Sequence, residues 1–484
     1  MVSQLIFIHL RTRSNRKMRA NKLTFTLFCL CLAAPFFGQE LSFAEYLRWT
    51  LEEHPVAKQA ALIEPSRQAQ LVQAKGLFDP KLESKFKEKF FNSNHYYSST
   101  NVGLEMKTPY AVSLVSDYDL NAGAYLNPDD YTSDKGLFSV GVAVPILKGL
   151  FYDEQRLTKQ RAVKLNDIAQ VEFRLALNEL LYQSAQLYNQ WFIAEERLRL
   201  TSELVNLSEI RFKAIKQRFE GGDRSGMDTL EAFAQVQNRQ IQLLDAKQEM
   251  LKSRIALVAF INDQDSTKLS MLNLSVFPNK NFKTEIREWS PHFVQLTQIN
   301  NHPEVLVTET KIDILTLEQR WKKEKLKPKL DIEYRFLQKD FSPLSPGNYS
   351  TNNYTLGMQF SAPLFMREAR GDLKMQALKI TDANLGLEWK KNQIDQKSQQ
   401  LQATFDFVQE QLKLSEQLAN LYQTLLSAEN MRFQNGESSV FLLNQRENTF
   451  FENQLKLLDF TRKDFQTRID QAYLWVLPYE RIAN

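Results

Sequence analysis

Arg218-Phe219-Glu220-Gly221-Gly222 recurs 214 residues later as Arg432-Phe433-Gln434-Asn435-Gly436. Each copy ends a long run of helix-compatible sequence and precedes another. From Leu150 to Glu220 there are 71 residues with neither Gly nor Pro. As one helix they would span roughly 105 Å at ~1.5 Å per residue. Leu157, Ile168, Leu175, Leu187, Leu198, Val205, Phe212 and Phe219 recur there at heptad-like spacing, the pattern of a helix packed along its neighbours. A return helix is expected from about Met227 to Phe260. The second copy repeats this plan: a helix over Leu387 to Asn435 with local loosening at Gly386, a turn at Gly436, and a return over Val440 to Val476.

Working outward, three further landmarks fall in the same order in both halves. His54-Pro55 recurs as His302-Pro303 and Pro80-Lys81-Leu82 as Pro328-Lys329-Leu330, both offset by 248 residues. Pro145 recurs as Pro363, offset by 218, so the first half carries 30 extra residues between Pro80 and Pro145. The chain is therefore a duplicated unit. Each unit opens with a helix. Ser42 with Glu45 makes a capping-box start, and Ser290-Pro291 an N-cap with proline at N1. The His-Pro pairs restart these helices, and Pro65 predicts a kink.

Between the opening helices and the long hairpins the apolar period changes to two. Ile332, Tyr334 and Phe336 alternate with Asp331, Glu333 and Arg335, and Tyr354, Leu356, Met358 and Phe360 with Thr355, Gly357, Gln359 and Ser361. In the first half Leu82, Phe86 and Phe90 oppose Lys81, Glu83, Lys85, Lys87 and Lys89, and Phe138, Val140, Val142 and Val144 oppose Ser139, Gly141 and Ala143. One apolar-aromatic face and one charged or small face suit a membrane barrel with lipid outside and water inside. A half-buried strand of a soluble sheet has the same period. The intervening NSNHYYSSTN, with His95, LNPDDYTSD and SPGNYSTNN read as external loops with interfacial tyrosines.

Composition narrows the function. Six basic residues and no acidic ones stand in the first 38 positions; without them the chain holds 55 basic and 57 acidic residues, scattered, which argues against nucleic acid as partner. This basic stretch followed by the 15-residue apolar run Leu23 to Phe37 reads as a signal peptide cleaved after Gly38, with translation starting at Met1 or Met18. The only two cysteines, Cys29 and Cys31, lie inside it, so the mature chain has no disulfide and no thiolate metal site. No other segment is apolar enough for a membrane-spanning helix, so any crossing is by a closed β-barrel. Spanning barrels need about eight strands or more. The strands must be pooled with those of other copies in a homo-oligomeric ring. His54 and His302 read as helix-start residues; no HExxH, G-x-S-x-G or P-loop is present, and no catalytic, cofactor or metal site is assigned.

With the paired RF-x-x-G turns, Asp228 and Leu230 after the first, Leu442-Leu443 after the second, and the junctions VPILKG and APLF, the sequence resembles the TolC-like outer-membrane efflux protein family over residues 41 to 477. The resemblance implies a mainly α protein with a membrane β-barrel. Three copies would share the barrel and an α-barrel tunnel. It implies a passive duct in the outer membrane with a periplasmic extension, not an enzyme. The tip turns (Arg218, Phe219, Gly222, Arg432, Phe433, Gly436) would meet a periplasmic adaptor and, through it, an inner-membrane RND or ABC transporter. Family members narrow the inner aperture with acids six and nine residues after the second tip glycine. Here Leu442 and Gln445 stand there, so Arg224, Asp228 and Glu231 are the aperture candidates, the alternative being ordinary first-turn charge.

Two strands per half, hence twelve in a trimer, is the default. The extra residues hold another alternating pair, Asn101 to Lys107 and Val112 to Asn121: a wall extension, an external lid or part of one long bent strand. The expected organisation is a leader (1–38), a first repeat (39–262, strands about 81–144, helical hairpin 150–262), a linker (263–289), a second repeat (290–477, strands about 329–362, helical hairpin 366–477) and a tail (478–484). Efflux and type I secretion fit equally; a structural periplasmic coiled-coil protein without a channel is the alternative class.

Overall fold

The computed structural model of the protein describes residues 40–261, 276–289, 299–339 and 350–476. The leader, the Ser290-Pro291 helix start, His292 and the tail from 478 lie outside the described residues.

The first repeat opens with β1 (Glu40–Leu41), α1 (Phe43–Glu53), α2 (Pro55–Ala61) and α3 (Ile63–Lys75). Ser42 Oγ accepts from the Glu45 amide, starting α1. His54 Nδ1 accepts from the Val56 amide at 3.1 Å, capping α2. The bend expected at Pro65 is a break at Leu62, which ends α2 and starts α3. Proline has no N–H to give the carbonyl four residues back, so the chain turns before it. Strands β2 (Lys81–Phe91), β3 (Asn94–Lys107), β4 (Ser113–Ala122) and β5 (Leu137–Pro145) follow.

The first long helical run is α4 (Glu154–Asp167) and α5 (Ala169–Glu220), not one helix from Leu150. Asp153 caps the Arg156 amide at 2.7 Å, and the Arg156 guanidinium donates to the Leu150 carbonyl, which holds residues 150–153 outside the helix. A single turn residue, Ile168, separates the two segments. The return is α6 (Gly226–Ile261). Within the expected linker, residues 276–289 are structured: β6 (Phe277–Pro278) pairs parallel with β1, and α7 (Phe282–Trp289) follows. Phe282 and Ile286 are fully buried, which draws this stretch into the core.

The second repeat comprises α8 (Pro303–Glu324), β7 (Lys329–Gln338), β8 (Tyr354–Ser361), α9 (Arg367–Gln434) and α10 (Val440–Leu474). His302 caps α8 as His54 caps α2: Nδ1 accepts from the Glu304 amide at 3.2 Å, and Nε2 lies 2.7 Å from the Leu474 carbonyl. Helix α9 runs unbroken through Gly386, so the expected loosening is absent there. Its 68 residues span roughly 100 Å.

The tip-side helices pack in the order α6, α5, α10, α9, leaving α6 and α9 outermost; nearer the sheet the order is α3, α4, α8, α9. An aromatic core of Phe43, Tyr46, Tyr188, Trp191, Phe192, Phe282 and Phe465 ties the opening helix and α7 to the middle of the hairpins.

Strands from both repeats form one antiparallel sheet in the order β2-β3-β4-β5-β7-β8. The 30 extra residues of the first half supply β3 and β4, so among the described residues this sheet has six strands and the default of two per half does not hold. The stretch read as a loop around His95 is a tight hairpin. Only Asn92 and Ser93 form the turn, both with positive φ as a two-residue β-turn requires, and His95 stands in β3 opposite Phe90.

Candidate functional site

Two regions stand out: the sheet and the helical tips. Antiparallel partners share a face, so the register assigns every side chain. On one face lie Leu82, Phe86 and Phe90 of β2, Val102 and Leu104 of β3, Leu114, Tyr118 and Leu120 of β4, and Phe138, Val140, Val142 and Val144 of β5. Ile332, Tyr334 and Phe336 of β7 continue it to Leu356, Met358 and Phe360 of β8. Its carboxylate, Glu88, sits near the turn beside His95 at 3.5 Å. Many of these apolar side chains are uncovered, Leu82 at 73% and Met358 at 70% exposed, while Phe138 is buried at 8%. An apolar face this extensive is not left in water by a soluble monomer.

The opposite face is mainly polar, with Phe91, Val115, Leu137 and Leu337 among its charged and small residues. Lys81, Lys85, Lys87 and Lys89 line β2, Asn101 and Glu105 lie on β3, Asp117 and Asp119 on β4, and Glu333 and Arg335 on β7. Arg335 pairs with both Glu333 and Asp117, reaching Asp117 across Gly141. Asn101 Nδ2 donates to Asp119 at 2.8 Å. A charged face with its groups paired along the wall is what a water-filled lumen requires. Aromatic side chains gather at both rims. Tyr96 stacks on Tyr125 at 4.5 Å and Tyr334 on Tyr354 at 5.5 Å at the loop end. Phe151 and Phe365 stand exposed at the strand–helix junctions.

At the far end of the helices the two turns are built alike. The Gly222 amide donates to the Phe219 carbonyl and the Asp223 amide to the Arg218 carbonyl, both at 2.9 Å. The Gly436 amide donates to Phe433 at 3.1 Å and Glu437 to Arg432 at 2.9 Å. This is the Schellman ending, with glycine at φ +77° and +80°. Ser225 and Ser439 then cap the return helices, accepting from the Asp228 and Leu442 amides at 3.2 Å each.

The repeat symmetry ends at the side chains. Phe433 is buried (8% exposed) with Ile215, Ala232, Val440 and Leu443, whereas Phe219 is 45% exposed. Arg224 lies over the Phe433 ring at 4.8 Å, tying the first tip to the second. Asp228 accepts from the Ser225 amide at 3.4 Å, completing a capping box; Glu231 is partly exposed on the next turn. The six tip residues and three aperture candidates thus fall at one end of the molecule.

Sequence reading missed a polar cluster between the hairpins. Arg211 of α5 pairs with Glu447 of α10, which is almost fully buried. Arg239 of α6, equally buried, donates to Asn448 at 2.7 Å and lies over the Phe451 ring at 4.6 Å. Burial lowers the Arg239 guanidinium from its ordinary value, against the pull of Glu447. Among the described residues no group of His, Cys, Asp or Glu is placed to hold a metal, and no helix is long and apolar enough to cross a membrane.

Comparison with known proteins places this architecture. The chain superposes on a membrane protein from Pseudomonas aeruginosa with a TM-score of 0.62 at 16% identity, covering 91% of each chain. It superposes on the CmeC outer membrane channel of Campylobacter jejuni with a TM-score of 0.62 at 14% identity, covering 90% of this chain and 85% of that one. The MtrE outer membrane channel of Neisseria gonorrhoeae in its open state gives 0.62 at 13%, covering 90% and 89%. The fold is therefore that of outer-membrane channels built from a β-domain and long helical hairpins. Residues 51–263 match the sequence profile of the family described as "Outer membrane efflux protein". The resemblance to TolC-like outer-membrane efflux proteins is thereby shown, by sequence over the first repeat and by fold over both. No curated protein sequence matches the chain. The family match and the fold support a role as an efflux duct.

Proposed function

We propose that three copies of this chain form a passive exit duct. The sheets would pool into an outer-membrane barrel and the helical hairpins into a periplasmic tunnel. Substrates would arrive from an inner-membrane RND or ABC transporter through a periplasmic adaptor. The observation that carries the reading is the six-stranded sheet, predominantly apolar on one face and predominantly charged or polar on the other, with a free strand at each edge. Neither face suits a soluble core, and both suit a wall between lipid and water.

The outermost helices support ring closure by further copies. Ile241, Leu244, Leu251 and Ile255 on α6, and Leu414, Leu418, Leu421 and Leu425 on α9, are exposed at three-, four- and seven-residue spacing. Two uncovered heptad seams at opposite flanks of one chain suit packing of α6 against α9 of the next copy. At the tips Phe219, Met227, Leu230, Phe441 and Leu442 are exposed beside the two glycine turns, an apolar surface suited to an adaptor. Arg224, Asp228 and Glu231 remain the proposed aperture residues, although Arg224 and Asp228 also serve the local packing and capping described above.

Reconstitution into planar bilayers tests the duct. Discrete conductance steps from protein that leaves membranes only with detergent are expected. No conductance, with release from membranes without detergent, would favour a structural coiled-coil protein instead.

A further inference from the structure

The inserted hairpin shares the two-faced character of the whole sheet. Ten consecutive residue pairs join β3 to β4 without a register shift, from Ser98–Ala122 to Lys107–Ser113. Leu104 and Leu114 continue the apolar face, while Asp117 and Asp119 continue the charged one. We propose that β3 and β4 are full staves of the membrane wall. Three copies then close an eighteen-stranded barrel, six strands from each, by pairing the free edge of β8 in one copy with the free edge of β2 in the next. The copy number rests on the duct reading above.

The geometry supports this over a lid or a plug. Strand β2 leaves the helices after Pro80 and β8 returns to them before Pro363, so adjacent copies meet antiparallel. An even number of strands per copy preserves that alternation around the ring. Strands β3 and β4 have 14 and 10 residues, enough for the ~9–11 that a tilted strand needs to cross the hydrocarbon. Two glycines keep the inner face clear. A Cβ at Gly103 would collide with the Asp117 carboxylate, and one at Gly141 with the Tyr334 carbonyl and Arg335. Their absence lets Asp117 and Arg335 lie along the wall.

The dimensions also agree. Eighteen strands ~4.8 Å apart and tilted ~40° have a circumference of roughly 110 Å. Twelve helical columns, four per chain, spaced ~8–10 Å give roughly 100–120 Å. Barrel diameter grows about linearly with strand number, so this outer mouth is about 1.5 times as wide as a twelve-stranded one. The lysines of β2 line each joint between copies.

Single cysteines in a Cys29→Ser, Cys31→Ser background test the assignment. Intact membranes are treated with a water-soluble, membrane-impermeant maleimide. Ser99→Cys and Val115→Cys, on the inner face, should label at least tenfold faster than Leu104→Cys and Leu114→Cys, on the lipid face. Equal labelling at Leu114 and Val115, which are adjacent in the chain, would mean a hairpin wet on both sides and would overturn the proposal. Imaging of the unsubstituted particle along its axis is the second measurement. Eighteen strands support the proposal; a threefold particle with twelve overturns it while leaving the duct intact; a particle that is not threefold overturns the duct reading itself.

Discussion

A valine at position 222 or 436 would have to hold φ near +77° or +80°. Space is not the obstacle, since a Cβ at either glycine meets nothing within 4 Å. The backbone conformation is, at a cost of roughly 1–2 kcal/mol per site for a residue with a side chain. The Gly222→Val, Gly436→Val double variant is expected to keep its oligomer and lose adaptor cross-linking and export. Wild-type export would contradict the tip assignment. A second residue-scale prediction concerns His54. Its Nδ1 caps α2 only while unprotonated, and burial lowers its pKa below the ordinary value of 6.5. A folded pKa below the unfolded one means that the cap's contribution is present above about pH 6.5 and is lost as pH falls through the lowered value. His54→Asn keeps an acceptor without a titrating group. The variant should lose less thermal stability than the wild type between pH 7 and pH 5; equal losses would contradict the capping role.

At the scale of elements, the hairpins are joined by the Arg211–Glu447 pair and the Arg239–Asn448 contact. Glu447→Ala would leave the partly buried Arg211 guanidinium without its carboxylate and remove a charge that attracts the buried Arg239, a loss of roughly 3–5 kcal/mol for a broken buried pair. Thermal unfolding should shift down clearly for Glu447→Ala and less for Glu447→Gln, which retains an acceptor. An unchanged midpoint in both would mean that the cluster is hydrated and contributes little. This cluster was not legible in the sequence, because Arg211 and Glu447 lie 236 residues apart and each resembles the exposed charges around it. The turns were legible, because Arg-Phe-x-x-Gly appears twice and positive φ has one cheap solution. Strands β2 and β7 were legible through the alternation over most of Lys81–Phe91 and Lys329–Gln338. The β3–β4 hairpin was legible as strand but not as wall. Ser98, Thr100 and Ser116 dilute its apolar face, and only the register with Leu82 and Val142 reveals which side each residue takes. The break at Leu62 has no side-chain cap and follows from Pro65, whereas the late start of α4 at Glu154 came from the Asp153 cap, which periodicity does not report.

For the whole molecule, one chain is an open segment: a sheet with free edges at β2 and β8 and a helical layer flanked by α6 and α9. Leu244 lies 18 residues above the start of α6 and Leu418 sixteen above the end of α9, so the two stand at similar height from the tip. A Leu244→Cys, Leu418→Cys variant is expected to cross-link between copies into a trimer-sized species under mild oxidation. Cross-linking confined to single chains would place these seams elsewhere. The duplication was visible in the sequence. The six-strand sheet was not, because an insertion in one repeat has no counterpart in the other against which to read it.

Single-particle imaging of the detergent-purified full-length protein bears most directly on the central claim. The account predicts a threefold particle with one continuous lumen, running from a β-walled end into a helical tunnel roughly 100 Å long. Single chains, or a ring whose helices close around a packed core with no lumen, would contradict it.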